Sequence, residues 1–125
     1  MLLVKTKLRG STVHGIGLFA EEFIPKGTKM WHFASGFDLE KTCDEIKSLP
    51  ESAQDWFRHF GYLDQRLNRH ILSFDDARFM NHSDNPNMVP DFDQDKYGVG
   101  VATRDIKAGE EITIDYRQIE KESCF

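Results

Sequence analysis

The chain has 125 residues, with 16 Lys+Arg against 21 Asp+Glu and a formal charge of -5 at pH 7. That length suits a single domain over residues 1–125, and a composition 39% hydrophobic and 12% aromatic argues against wholesale disorder. The acidic balance disfavours a general nucleic-acid binder and suits a basic partner, and no apolar stretch approaches the roughly 20 residues of a membrane helix.

The N-terminal third reads as strands. Met1-Leu2-Leu3-Val4-Lys5 is too short an apolar run for a secretory leader. Leu3 to Arg9 mixes β-branched and apolar residues with cations, and Gly10-Ser11 and Gly15-Ile16-Gly17 interrupt it. Leu18-Phe19-Ala20 and Phe23-Ile24 follow, Pro25-Lys26-Gly27 marks a turn, and Thr28 to Phe33 forms another strand. The middle is helical. Asp38 is the expected cap of one helix, with Leu39, Cys43 and Ile46 on one face. Pro50 and Glu51 open a second, whose apolar stripe is Leu49, Ala53, Trp56, Phe57 and Phe60, with Trp56, Phe57 and Phe60 read as core, and Gly61 stops it. Strands then return at His70–Phe74, Val99–Ala102 and Ile112–Ile114. Asn81 to Pro90 is too rich in Asn, Asp, Ser and Pro for regular structure, and Asp105–Glu110 is a turn.

Three segments could carry chemistry. Gly15-Ile16-Gly17 is either a tight turn or a place where a ligand meets exposed peptide groups. It opens no helix, so it is not a dinucleotide fingerprint. Arg78-Phe79-Met80-Asn81-His82-Ser83-Asp84-Asn85-Pro86-Asn87 is either a surface loop or a polar knot around a ligand. Burying its amides and imidazole requires partners, since an unpaired buried polar group costs about 1–3 kcal/mol. Glu110-Glu111-Ile112-Thr113-Ile114-Asp115-Tyr116 ends on a tyrosine that is either amphipathic core or a positioned phenol.

Together, and in this order, these segments resemble the SET domain family of protein lysine methyltransferases, from about Thr6 to Arg117. The resemblance implies a mostly β fold of short sheets with a small helical insert and a C-terminal pseudoknot. It implies S-adenosyl-L-methionine as cofactor, bound on one face, with the target lysine entering a channel from the other. By resemblance, His14, Gly15, Ile16, Gly17, Asn81, His82 and Tyr116 would hold the cofactor, and Tyr116 would be catalytic. Ile114, two residues before it, and Phe79 would line the lysine channel. The expected partner is a basic protein or peptide such as a histone, without membrane or direct nucleic-acid contact, and a homodimer stays open. A catalytically silent SET-fold module that binds a peptide or assembles with a partner is the alternative, and a cofactor binder without methyl transfer is a third.

No metal is expected. Asp91-Phe92-Asp93-Gln94-Asp95 begins like a calcium loop, but Lys96 and Ala102 stand where Gly and Glu are needed. The five histidines form no zinc pattern. The short tail 117–125 holds only Cys124, whereas many family members carry a zinc-binding cysteine cluster there. Phe125 or a partner subunit is the expected substitute wall. Cys43 and Cys124 lie far apart, which suits a reduced intracellular setting, with a single disulfide left open. That setting would be the cytoplasm for a bacterial protein and the nucleus for a eukaryotic or viral one.

Overall fold

A computed structural model describes residues 1–119; the expected roles of Cys124 and Phe125 lie outside the described residues. Three small sheets carry the architecture. The first has the order β1 (Thr6–Gly10), β2 (Ile16–Ala20), β10 (Glu111–Ile114), β7 (Asn81–His82). Leu8 pairs with Leu18, and Leu18 with Ile112, so the period-two alternation of apolar residues puts one face of this sheet into the core. Leu18, Met30, Ile106 and Ile112 are fully buried there. The second sheet runs β3 (Lys29–Trp31), β9 (Val99–Ala102), β8 (Met88–Asp91). The third runs β4 (Leu39–Lys41), β6 (Arg69–Leu72), β5 (Tyr62–Asp64), and carries the helical insert α1 (Cys43–Lys47) and α2 (Glu51–Phe60).

The insert departs from the expected pattern at its start. Leu39 is a strand residue, paired with Leu72. The helix begins at Cys43 under Thr42, whose hydroxyl accepts the Glu45 N–H at 3.2 Å while the Glu45 carboxylate accepts the Thr42 N–H at 3.1 Å. Asp38 caps no helix. Its buried carboxylate accepts the backbone N–H groups of Ala34 (2.8 Å) and Phe74 (3.2 Å) and the α-amino group of Met1 (2.8 Å). Tertiary pairing with β6 outweighs local helix propensity here.

α2 ends at Gly61 as expected, but its stripe is not all core. Phe57 is buried, edge-on to His70 at 5.8 Å, whereas Trp56 is 50% exposed and Phe60 half-buried. The helix sits at a rim and turns one aromatic inward. Burial beneath it lowers the pKa of His70, which favours the neutral ring.

The Asn81–Pro90 segment is also more regular than expected, since it supplies β7 and most of β8. β7 runs parallel to β10, pairing Asn81 with Thr113 and His82 with Ile114. The polar residues survive burial because the backbone supplies partners. Asn87, 2% exposed, donates to the Glu111 carbonyl at 2.8 Å and accepts the Thr113 N–H at 2.9 Å. One side chain thus completes two backbone groups of β10.

Asn87→Ala orphans both groups at once. Chemical denaturation is expected to show a loss of about 2–4 kcal/mol, whereas Asn85→Ala, on the exposed turn, should stay within about 0.5 kcal/mol.

Candidate active site

The site is assembled from three distant segments tied by one carboxylate. Ser11 folds the 11–15 turn back on itself. Its hydroxyl accepts the Val13 N–H at 2.9 Å, its own N–H donates to the Gly15 carbonyl at 2.7 Å, and Gly15 has a φ of 46°. The same hydroxyl donates to Glu111 Oε1 at 2.6 Å. Glu111 Oε2 accepts from Asn81 Nδ2 at 2.9 Å, and that amide nitrogen also donates to the carbonyls of His14 (3.0 Å) and Ile16 (3.4 Å). Gly17 belongs to β2 and leaves room for this clamp: a Cβ there would lie 2.4 Å from Glu111 Oε2 and 3.1 Å from Asn81 Nδ2.

Tyr116 follows β10 directly. It opens a short 3-10 turn, Tyr116–Gln118, capped by Asp115, whose carboxylate accepts the Arg117 N–H at 3.0 Å. The Arg117 side chain also donates to Asp115, and chiefly for that reason the Asp115 carboxyl is held at about 2. The Tyr116 N–H donates to His82 Nδ1 at 3.1 Å, so the imidazole proton sits on Nε2, which donates to Asp84 at 3.0 Å. The Tyr116 hydroxyl donates to the Met80 carbonyl at 2.5 Å. Both the backbone and the ring tip of Tyr116 are therefore held by the 80–82 segment.

Two adjoining cavities meet here. The larger, of about 260 Å³, is walled by Tyr116, Arg78, Phe60 and His59. The smaller, of about 60 Å³, is mainly apolar, walled by Trp31, Met88, Tyr97 and Gly100. Ile114, Met80, Ala77 and Tyr62 line both. The Tyr97 phenol, which donates to Glu40 at 2.7 Å, is pushed up to about 12 by burial first and by Glu40 second. The Arg78 guanidinium stacks near three rings, 5.3 Å from Trp56, 5.7 Å from Phe60 and 5.4 Å from Phe79. It has no carboxylate partner among the described residues, and its Nε is buried without an acceptor.

The residues singled out from sequence divide into two groups. Tyr116 and Ile114 line a cavity. His14, Ile16, Gly17 and Asn81 form the clamp, joined through Gly15, and His82 holds Tyr116; none of these six walls either cavity. Phe79 packs edge-on against Phe60 at 5.3 Å and also lies outside both linings. Sequence reading missed Arg78, Tyr62, Tyr97 and Trp31. Arg78 stood inside the quoted motif, but its surroundings come from α2, and nothing local in the sequence marks the other three.

A SET domain profile matches residues 15–117. The chain belongs to the SET domain family, and the mostly β architecture with a small helical insert is the one its resemblance implies. The chain is 33% identical over 121 residues to histone-lysine N-methyltransferase trr of Drosophila melanogaster, covering 93% of this chain and 5% of that protein. It is 26% identical over 113 residues to human histone-lysine N-methyltransferase 2D, covering 88% of this chain and 2% of that protein. The match thus spans only a small part of these relatives. In fold it is similar to a humanized mutant of the Chaetomium thermophilum Polycomb Repressive Complex 2 bound to the inhibitor GSK126. The TM-score is 0.66 at 22% identity, over 94% of this chain and 16% of that one.

Gly17→Ala tests the clamp. The new methyl displaces Glu111 from Asn81, so stability should fall by about 1–3 kcal/mol. In a double-mutant cycle measured by denaturation, Glu111→Ala should remove most of that loss; additive losses would mean that the clamp does not depend on this contact.

Proposed function

We propose that the chain is an S-adenosyl-L-methionine-dependent protein-lysine N-methyltransferase acting on a lysine of a basic protein such as a histone. The observation that carries this reading is Tyr116, its hydroxyl held by Met80 and its backbone N–H by His82, beside the junction of a cationic cavity and an apolar one. Family membership supports it, as does the net charge of -5, which suits a basic substrate.

The residues present fit the cofactor. Arg78 has an orphaned, buried Nε and no carboxylate partner among the described residues, so it suits the carboxylate of the methionine part. Phe60, which walls the same cavity, offers a ring for the adenine. The exposed backbone of His14, Gly15 and Ile16, next to Asn81, with Gly17 and His82, supplies further contacts in this reading. When bound, the cofactor supplies an electrophilic methyl group on a sulfonium.

The protein's own part is to position and to desolvate. Lysine normally titrates near about 10.4, and an apolar channel favours its neutral, nucleophilic form. The smaller cavity offers such a lining of Trp31, Met88 and Ile114 around the stem. The Tyr116 oxygen, having given its only proton to Met80, acts as an acceptor for an amine N–H. That contact fixes the direction of the lone pair, and alignment of this kind can supply roughly 7–11 kcal/mol of the barrier reduction.

Two variants test the assignments. Tyr116→Phe keeps the ring and should lower turnover at least about tenfold, or roughly 1.4 kcal/mol, with cofactor affinity nearly unchanged. Arg78→Leu should weaken S-adenosylmethionine binding in calorimetry at least about tenfold, the scale of a charge-assisted hydrogen bond. Full turnover by the Tyr116→Phe protein would remove the hydroxyl from the mechanism, and unchanged cofactor binding by the Arg78→Leu protein would move the carboxylate elsewhere.

A further inference from the structure

We infer that the edge of β1 left unpaired among the described residues is a docking strand for an acidic, extended segment of a partner protein. β1 is an outer strand of the first sheet. Both the N–H and the carbonyl of Ala20, opposite Thr6, are used by the 109–110 side: Ala20 N–H donates to Glu110, and Gly109 N–H donates to Ala20. Antiparallel pairs alternate, so Lys7 and Arg9 spend their backbone groups on β2, while Thr6, Leu8 and Gly10 turn theirs outward. The result is a row of donors and acceptors at two-residue spacing, the template for strand addition.

The edge strand is anchored to the core and longer than the other outer strands. Val4 and Leu8 pack against the core, so the strand is ordered before any partner arrives. The outer strands β3, β4 and β5 have three residues each and β7 has two, and β8 is interrupted by Pro90. β1 has five residues and no proline.

Charge selects the partner. Lys5, just before the strand, and Lys7 and Arg9 within it recur at every second residue, all exposed, and none forms an ion pair among the described residues. They make a local stripe of three cations on a chain whose net charge is -5. Strand spacing puts successive cations about 6.8 Å apart, the repeat of every second side chain on a paired strand. An extended segment with acidic residues at alternate positions matches both rows. A second copy of this strand does not, because Lys7 and Arg9 would face like charges. A nucleic acid would use the cations but leave the backbone row unanswered. Lysines on edge strands also discourage indiscriminate pairing; an acidic strand is the partner that this protection does not repel.

The test uses the full chain and an acetylated, amidated octapeptide of alternating Glu and Val. Its binding, followed by amide hydrogen exchange, should slow exchange at Thr6, Leu8 and Gly10 at least about fivefold, while Lys7 and Arg9 change little. The combined Lys5→Glu, Lys7→Glu, Arg9→Glu protein should bind at least about tenfold more weakly with its circular dichroism unchanged. A peptide N-methylated at alternate residues should also fail. The proposal is overturned if the octapeptide gives no protection at the three amides, if the N-methylated peptide binds equally well, if the charge-reversed protein retains affinity, or if a single-stranded oligonucleotide of equal charge binds more tightly than the peptide. None of these readouts involves methyl transfer, so this inference and the functional reading can fail separately.

Discussion

A buried amide holds the C-terminal strand in place, and the candidate site depends on that strand. β10 has four residues and a short ladder on each side, two residue pairs against β2 and two against β7. Asn87 adds to these ladders by completing the Glu111 carbonyl and the Thr113 N–H from the side. In the low dielectric of the interior such bonds are strong when made and costly when missing. The strand held in this way delivers Glu111 to the clamp, Ile114 to both cavities and Tyr116 to the 80–82 segment. One buried side chain therefore supports the strand on which the N-terminal 11–17 segment and the 80–82 segment converge.

The clamp and the cavities divide the work. Ser11, Glu111 and Asn81 hold the 11–17 loop without lining the open space. Their chemistry is consumed internally, which explains how so many polar groups tolerate burial. The space itself is lined differently on its two sides. One side has an arginine stacked among rings with no carboxylate partner among the described residues. The other is walled by indole, thioether and aliphatic groups. A cation with no carboxylate partner among the described residues on one side and an apolar lining on the other suit two different occupants meeting at one tyrosine. Tyr97, held neutral far above physiological pH by burial and Glu40, adds no charge to the apolar side.

Much of the fold was legible because local chemistry wrote it. The strand at Ile112–Ile114, the stop at Gly61 and the turn at Asp105–Glu110 each rest on neighbours a few residues away. The three chemistry-bearing segments were legible for the same reason, as compact runs of unusual residue types. The misses share a different cause. Leu39 is a strand residue because Leu72 lies opposite, and Asp38 is buried because Ala34 and Phe74 present their N–H groups to it. Asn81 and Asn87 look like loop residues until β10 arrives beside them, 26 to 32 positions later. Trp56 looked like core because helical periodicity cannot tell a rim from an interior. Arg78 acquires its cage of rings, and so its importance, only when α2 folds over it.

The measurement that bears most directly on the central claim is the destination of a labelled methyl group. The purified chain, incubated with methyl-labelled S-adenosylmethionine and a mixture of core histones and acidic control proteins, would be analysed by peptide mass spectrometry. Label is expected on lysine side-chain nitrogens, concentrated in basic segments, and none with heat-denatured protein. Label on other residue types, or none on any protein while the cofactor is demonstrably bound, would contradict it and leave the fold without the proposed chemistry.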